Sequence, residues 1–214
     1  MEINNPTATR DAWFVSNGLI VQEMATGQLQ QGDVLFELRD PASIPVAGDL
    51  AGNLDPPTYA GFGQYETHLS AGQRATNLLG QPIVSVWTHN NPGGVDMNKA
   101  TQYPETAVAM YDETPGLNIP GVFRTFMQQA GKVVDNGQQR TATPMFDWLY
   151  VLGHPITAAY WTRVKVGGVE RDVLIQLYER RVLTYTPSNP TGWKVEMGNV
   201  GQHYYQWRYG TPMP

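Results

Sequence analysis

Residues 161–209 decide the fold, and they read WTRVKVGGVERDVLIQLYERRVLTYTPSNPTGWKVEMGNVGQHYYQWRY. Short segments rich in β-branched, aliphatic and aromatic residues predict strands at Trp161–Val166, Val173–Tyr178 and Val182–Thr186. The pair Gly167-Gly168 predicts a hairpin turn between the first two strands. The stretch Asn199–Tyr209 predicts a helix that ends at Gly210. This part of the chain therefore predicts strands joined by tight turns and closed by a helix.

The rest of the chain predicts further short elements of both kinds. Helices are expected at Trp13–Gly27, Ile119–Ala130 and Pro144–Leu152. Strands are expected at Tyr65–Leu69 and Ile83–His89, with a short strand or loop at Val34–Leu38. Glycine- and proline-rich or weakly patterned segments predict a loop at Asp40–Thr58, a turn at Asn90–Gly94 and a loop at Asp96–Gly116. Together these elements predict an α+β fold of antiparallel strands and several short helices.

The two ends of the chain carry the same pattern. Trp13-x-Val15-x-x-Gly18 and Trp193-x-Val195-x-x-Gly198 both follow an Asn-Pro turn, and both precede a predicted helix. Such a repeat predicts two related strand-loop-helix units in a pseudo-twofold arrangement. We therefore expect a single domain of two related halves, about residues 1–116 and 117–214 of the sequence. The repeated tryptophans, Trp13 and Trp193, are expected to be packed core residues.

Composition narrows the classes of partner. Only 15% of the residues are charged, the net charge is −5 and there is no cysteine. A negative chain repels phosphate backbones, so nucleic acid is not an expected partner. The lack of cysteine excludes disulfides and thiol chemistry, and no apolar run is long enough to span a membrane. A surface rich in Gln, Asn, Thr and Tyr favours an extracellular or cell-envelope protein that faces glycans.

Residues 174–209 resemble a family of uncharacterised secreted or envelope-associated bacterial proteins. The resemblance rests on the pattern Q-x-F/Y-E-R-x-x-L-x-Y, here Gln176–Tyr185, and on the helix ending Tyr205–Tyr209, Y-x-W-R-Y. It also takes in Trp13–Asp33 and Val151–Trp161. Within the latter, Leu152–Thr157 is similar to the LGFP repeat of cell-wall proteins, although the close family more often has an aromatic residue at the His154 position. The resemblance implies an extracellular location and carries no established activity.

The same resemblance bears on where the chain starts. Members of the family have a strand resembling Gln176–Arg181 just before the segment that matches Met1, and residues 1–10 carry no signal-peptide pattern. We therefore expect a trimmed chain or an internal start. The missing strand would leave an open sheet edge through which copies could associate.

Two sets of residues could carry catalysis in the less regular middle of the chain. The carboxylates Glu66, Glu105 and Asp112 are the candidates for a glycan hydrolase, which needs two carboxylates across one cleft. Glu66 and His68 are two residues apart on a predicted strand, and His89 ends another. These three would suit a divalent metal with open coordination positions. No cofactor is otherwise expected, and the sequence leaves open whether the chain is an enzyme.

Aromatic residues near predicted loops suggest a non-catalytic alternative. Flat rings beside neutral hydrogen-bonding residues form stacking surfaces for sugars, and the candidates are Trp87, Tyr103, Tyr111 and Trp161. The partner would be a glycan or cell-wall polymer. The leading hypothesis is a glycan- or cell-wall-binding module, with a hydrolase or metal enzyme centred on residues 59–113 as the alternative. A purely structural envelope protein is the third hypothesis.

Three other conspicuous sites are expected to be structural. Glu179-Arg180-Arg181 predicts an ion pair on a strand that fixes strand register or caps a neighbouring helix. His203 lies one turn after Asn199 and is expected to be packed and hydrogen-bonded rather than a catalytic base. His154, between Gly153 and Pro155, is expected to be a turn residue.

Overall fold

The chain combines short helices with mostly antiparallel strands, as the sequence predicts for an α+β fold. The computed structural model describes residues 2–3, 7, 15–32, 34–66, 72–88 and 91–212. Within these residues the chain forms six α-helices and fourteen strands. The α+β fold class is therefore confirmed.

The elements are short. The strands are β1 (Glu2–Ile3), β2 (Val15–Ser16), β3 (Gln28–Gln30), β4 (Phe36–Leu38), β5 (Ser85–Thr88), β6 (Asn91–Val95), β7 (Val108–Asp112), β8 (Leu117–Pro120), β9 (Gly131–Asp135), β10 (Gln138–Ala142), β11 (Tyr160–Val166), β12 (Val169–Leu177), β13 (Val182–Tyr185) and β14 (Val195–Met197). The helices are α1 (Ile20–Thr26), α2 (Tyr59–Tyr65), α3 (Asn98–Gln102), α4 (Gly121–Met127), α5 (Trp148–Leu152) and α6 (Val200–Tyr209). A single turn of 3₁₀ helix covers Pro104–Thr106.

A six-stranded sheet organises the fold, in the order β14-β13-β12-β11-β5-β6. Neighbouring strands are antiparallel except β5 and β11, which run parallel with Trp161 opposite Val86. A parallel pair needs a long crossover connection, and the chain between β5 and β11 supplies it. The parallel pairing is a feature that the sequence did not predict.

Both faces of this sheet are covered by apolar side chains. On one face Val164, Val173 and Ile175 pack with residues of α1, α2 and α6. On the other face Trp161 and Leu174 pack with residues of α4, α5 and the β7–β8 hairpin. Because side chains alternate along a strand, neighbouring residues of β11 and β12 supply two separate cores.

The predicted ends of several elements are confirmed. Gly167 and Gly168, with φ of 62° and 77°, form the turn between β11 and β12. Both φ values lie in the left-handed region that glycine adopts without a steric penalty. Gly27 ends α1 and Gly210 ends α6, each with a left-handed C-cap. Helix α4 lies inside the predicted range Ile119–Ala130.

Three predictions for the middle of the chain were wrong. Tyr65 ends helix α2 rather than starting a strand, and residues 67–69 lie outside the described residues. Within the predicted turn Asn90–Gly94, residues 91–94 belong to the outer strand β6, where proline is tolerated because its missing N–H is needed least. The predicted loop Asp96–Gly116 contains α3, the 3₁₀ turn and β7, which are fixed by contacts distant in sequence.

Glu179-Arg180-Arg181 is a turn rather than part of a strand. The N–H of Tyr178 donates to the carbonyl of Arg181, which closes the connection from β12 to β13. The carbonyl oxygen of Glu179 accepts hydrogen bonds from Val21 and Gln22 in the first turn of α1. The segment therefore caps α1 through its backbone. Its side chains also form an ion pair, between Arg180 Nη1 and Glu179 Oε2 at 3.4 Å, and Arg180 donates to the Leu149 carbonyl of α5.

The two copies of the terminal repeat have the same local order. Ile3 pairs with Val15 before helix α1, and Tyr185 pairs with Val195 before helix α6. Trp13 lies outside the described residues. Trp193 is 68% exposed, so its assignment as a packed core residue was wrong. A pseudo-twofold axis between the two units stays a prediction.

Candidate functional site

A groove of about 350 Å³ lies between the loop 45–50, the strands β12–β14 and the start of α6. We call it the polar groove, and its polar lining is Asp49, Thr184, Thr186, Glu196, Asn199, Gln202 and His203. Its volume is at the lower end of the range usual for small-molecule sites.

One wall of the polar groove is a loop held to the β11–β12 hairpin. The two carboxylate oxygens of Asp49 accept hydrogen bonds from the backbone N–H groups of Gly167, at 2.9 Å, and Gly168, at 2.7 Å. These backbone donors hold the pKa of Asp49 below its ordinary value. The Asn53 side chain adds bonds to the backbone of Asp49 and Lys165. The loop therefore has a fixed position relative to the sheet.

The opposite wall combines a strand pair with a helix face. Thr184 on β13 lies opposite Glu196 on β14, and both line the groove. Asn199, Gln202 and His203 are spaced by three and four residues, the spacing that places side chains on one face of a helix. The N-cap residue Asn199 and the first turn of α6 thus present three neutral polar side chains to the groove.

His203 is fixed by a hydrogen bond within the protein. Its Nδ1 atom lies 3.0 Å from the hydroxyl of Tyr59, and its ring is half-buried. This confirms the prediction of a packed, hydrogen-bonded histidine. Burial lowers the pKa of His203, so the imidazole is neutral at neutral pH. A neutral imidazole whose Nδ1 is bonded to a hydroxyl presents Nε2 either as a donor or as an acceptor.

Among the remaining neutral side chains of the polar groove, Thr184 donates to the carbonyl of Glu196 at 3.5 Å, and the other three have no partner inside the described part of the protein. The side chains of Thr186, Asn199 and Gln202 make no hydrogen bond to any described residue. Each carries both donor and acceptor capacity. Polar groups that line a cavity and are not paired within the protein bind water or a ligand.

A larger cavity is less suited to ligand binding because its charges are already paired. It has a volume of about 660 Å³ and lies beside the β9–β10 hairpin. Within it Arg140 pairs with Asp135 at 3.2 Å. Asp147 accepts hydrogen bonds from the N-terminal backbone of α5. The polar groove is therefore the better candidate despite its smaller volume.

The burial of His203 predicts an acid sensitivity that can be measured. Its pKa in the unfolded chain has the ordinary value of 6.5 and is lower in the folded protein. Below that ordinary value the unfolded chain therefore binds more protons, and the free energy of unfolding falls as the pH falls. Above a pH of about 6.5 His203 is mostly neutral in both the folded and the unfolded chain, so it adds no pH dependence to the free energy of unfolding. His203→Gln should remove this contribution.

Urea denaturation of the wild type and of His203→Gln between about pH 8 and about pH 5 measures the effect. The wild-type free energy of unfolding minus that of the variant should be constant at the alkaline end and decrease toward the acidic end. Gln202→Ala changes a neighbouring side chain without a titrating group and should show a constant difference. A constant difference for His203→Gln would contradict the burial argument.

The structure does not bring the three candidate carboxylates together. Glu66 is buried and accepts hydrogen bonds from Ala158 N–H and the Tyr160 hydroxyl, on the face of the sheet covered by α1 and α2. Glu105 accepts from the hydroxyl of Tyr185, whose ring packs in the opposite core.

Asp112 contacts a third group, the imidazole of His154. Its Oδ2 atom lies 2.7 Å from Nδ1 of His154. Each of the three carboxylates therefore bonds a different group of the protein, and their pairing in a hydrolase stays a prediction.

The metal hypothesis falls largely outside the described residues. His68 and His89 are not described, and Glu66 is described without them. Among the residues that are described, no group of three or more histidine, aspartate or glutamate side chains could hold a metal ion.

Two of the four candidate aromatic residues are buried. Trp87 is 2% exposed and Trp161 is 0% exposed, so the expectation that they form an exposed stacking surface was wrong. They lie on β5 and β11, which are inner strands covered on both faces. Tyr103 stacks on Trp161 with ring centroids 4.7 Å apart, and Tyr111 donates its hydroxyl to the carbonyl of Ala75. Both tyrosines are half-buried.

The sequence did not predict two features of the structure, the Asp112–His154 pair and the polar groove. The pair formed by Asp112 and His154 links β7 to the turn before β11, and His154 lines a cavity of about 340 Å³. The polar groove was also missed, although the spacing of Asn199, Gln202 and His203 on a predicted helix is visible in the sequence. What the sequence could not show is the loop that forms the facing wall.

Comparisons with known proteins add no assignment to this geometry. The chain matches no protein-family model, no curated protein and no solved structure. Over the described part of the chain, no helix combines the length and apolar character needed to cross a membrane. Function is therefore inferred from the polar groove itself.

Proposed function

We propose that this chain is a non-catalytic glycan-binding module of the bacterial cell surface and that its ligand binds in the polar groove. The observation that carries the proposal is that the neutral side chains of Thr186, Asn199 and Gln202 line the groove and make no hydrogen bond to a described residue. A sugar hydroxyl both donates and accepts hydrogen bonds. Amide, hydroxyl and neutral imidazole groups match that capacity without the desolvation cost of a full charge.

An exposed aromatic ring lies on the hairpin that forms one wall of the polar groove. Trp193 is in the connection between β13 and β14, the strands that carry Thr184 and Glu196. Its loop is held by Asn189, whose Nδ2 donates to the carbonyl of Trp193 at 3.1 Å. This bond fixes the backbone at Trp193, and the exposed indole there offers a flat apolar face on which a sugar ring can stack. Trp193 replaces Trp87 and Trp161 as the stacking residue of the proposal.

The acidic groups of the polar groove support binding rather than hydrolysis. Its described lining contains two carboxylates, Asp49 and Glu196. Both oxygens of Asp49 accept backbone hydrogen bonds from the β11–β12 turn, so Asp49 is held as part of the wall. Glycoside hydrolysis generally uses two carboxylates in separate roles. Among the described lining residues only Glu196 remains for such a role.

Removing the helix-face amides should weaken glycan binding. Each hydrogen bond to a ligand contributes about 1 kcal/mol net, so Asn199→Ala combined with Gln202→Ala should weaken binding at least tenfold. Co-sedimentation with insoluble peptidoglycan and calorimetric titration with soluble neutral oligosaccharides are the measurements. Gln138→Ala combined with Gln139→Ala on the exposed strand β10 is the matched control and should bind as the wild type does.

Either of two results would overturn the proposal. One is that the wild type binds neither peptidoglycan nor any oligosaccharide of the panel. The other is that the variant of Asn199 and Gln202 is folded by circular dichroism and binds as the wild type does. Trp193→Ala provides an independent test, since loss of a stacked ring should also weaken binding, whereas Tyr209→Ala at the exposed end of α6 should not.

A further inference from the structure

Glu196 places a negative charge at the edge of the polar groove. Its side chain is exposed, and its Oε2 atom accepts a hydrogen bond from Asn189 Nδ2 at 3.2 Å. In the described part of the protein Oε1 accepts no hydrogen bond, and no Lys, Arg or His side chain pairs with the carboxylate. One carboxylate oxygen is thus available to a ligand.

The rest of the polar groove does not balance this charge. Among its described lining residues there is no lysine or arginine, and His203 is neutral because burial lowers its pKa. Asp49 adds a second carboxylate, although its oxygens are bonded to the backbone. The groove therefore presents a negative potential to a ligand, in keeping with the net charge of −5.

Asn189 links the Glu196 carboxylate to the backbone of the loop that carries the exposed Trp193. The same Nδ2 atom donates to Glu196 Oε2 at 3.2 Å and to the carbonyl oxygen of Trp193 at 3.1 Å. A single amide group therefore links an available carboxylate oxygen with the loop that carries an exposed tryptophan. A carboxylate that is held in place and keeps one oxygen unbonded suits a cationic hydrogen-bond donor on a ligand.

We propose that Glu196 makes the polar groove selective for hexosamines with a free amino group, an inference that rests on the proposed glycan-binding function. The ammonium group of the sugar donates to Oε1 of Glu196, and its ring hydroxyls bond the neutral side chains of the groove. An N-acetylated hexosamine keeps the ring contacts but has no charge for Glu196. A uronic acid brings a second carboxylate to a groove whose described lining has no cation, and like charges placed together oppose binding.

Calorimetric titration with three hexasaccharides tests the selectivity: those of glucosamine, N-acetylglucosamine and galacturonate. At low ionic strength the glucosamine hexamer should bind about fivefold more tightly than the acetylated one, the effect of a partly solvated ion pair. The galacturonate hexamer should bind most weakly. At about 1 M salt, where the Debye length is about 3 Å, the preference for glucosamine should largely disappear.

Two variants assign the preference to Glu196. Glu196→Gln should bring the ratio of the two affinities close to one. Glu113→Gln changes the net charge by the same amount, lies outside the groove and should keep the wild-type ratio.

The outcomes separate this inference from the function on which it rests. Equal affinities for the glucosamine and N-acetylglucosamine hexamers in the wild type would overturn the selectivity and leave glycan binding standing. A preference that persists in Glu196→Gln would overturn the role of Glu196. If no hexamer binds the wild type, and peptidoglycan does not bind it either, the proposed function fails first.

Discussion

Replacing Gly63 with alanine is expected to lower the free energy of unfolding by about 3 kcal/mol, because overpacking against backbone leaves little room to relax. Gly63 lies in α2, where it faces the backbone of α1. A Cβ atom at this position would overlap the carbonyl oxygen of Ala25 and lie 2.8 Å from its carbonyl carbon. Because the clash is with backbone rather than with a flexible side chain, the two helices would have to separate.

Gly201 is the matched control for this substitution. It lies in α6, and a Cβ atom there would have no neighbour within 4 Å. Alanine has the higher helix propensity, so Gly201→Ala should raise the free energy of unfolding by about 0.5 kcal/mol. Urea denaturation of both variants decides the matter. A Gly63→Ala variant as stable as the wild type would show that the α1–α2 distance is not set by this contact.

Gly63 also illustrates why α2 could not be predicted. Its sequence, YAGFGQY, contains two glycines in seven residues and has low helix propensity. The helix forms because Thr58 caps it and because Tyr59 and Phe62 are buried in the core between the helices and the sheet. Tertiary packing thus outweighs the local preference.

The elements that could be predicted are those with local signals. The β11–β12 hairpin has paired strands and a Gly-Gly turn, and α6 ends at a glycine with positive φ. Such signals operate between residues close in sequence, so they are visible without the tertiary structure. Local signals do not predict the order of strands in the sheet. That order places β5 next to β11, and both Trp87 and Trp161 are buried there.

The candidate site was missed for the same physical reason. Asn199, Gln202 and His203 share one helix face, and this could be read from their spacing. The wall opposite them comes from a loop about 150 residues earlier, held by Asp49 on the β11–β12 turn. A groove between segments so distant in sequence leaves no periodic pattern in either of them.

Replacing Lys99 with methionine is also expected to lower the free energy of unfolding by about 3 kcal/mol, the effect of removing one partner of a buried ion pair. Lys99 is 8% exposed, and its Nζ atom lies 2.6 Å from Oδ2 of Asp172. The same atom lies 5.5 Å from the ring centroid of Tyr103 and 5.4 Å from that of Trp161. Methionine would fill the space but would leave the Asp172 carboxylate without its closest cation.

A double-mutant cycle separates this pair from simple packing. In the Lys99→Met background the Asp172 carboxylate keeps only the exposed Arg163, at 3.6 Å, and the Tyr103 hydroxyl as partners. Adding Asp172→Leu removes this poorly compensated charge, so the double variant should be more stable than the sum of the two single losses predicts, by about 2 kcal/mol. Arg140→Met breaks an exposed ion pair with Asp135 and should cost less than about 1 kcal/mol. The contrary result would be that Lys99→Met lowers the free energy of unfolding no more than Arg140→Met does. In that case Lys99 is not the contact that anchors α3 to the central sheet, and the position of α3 depends on its other neighbours.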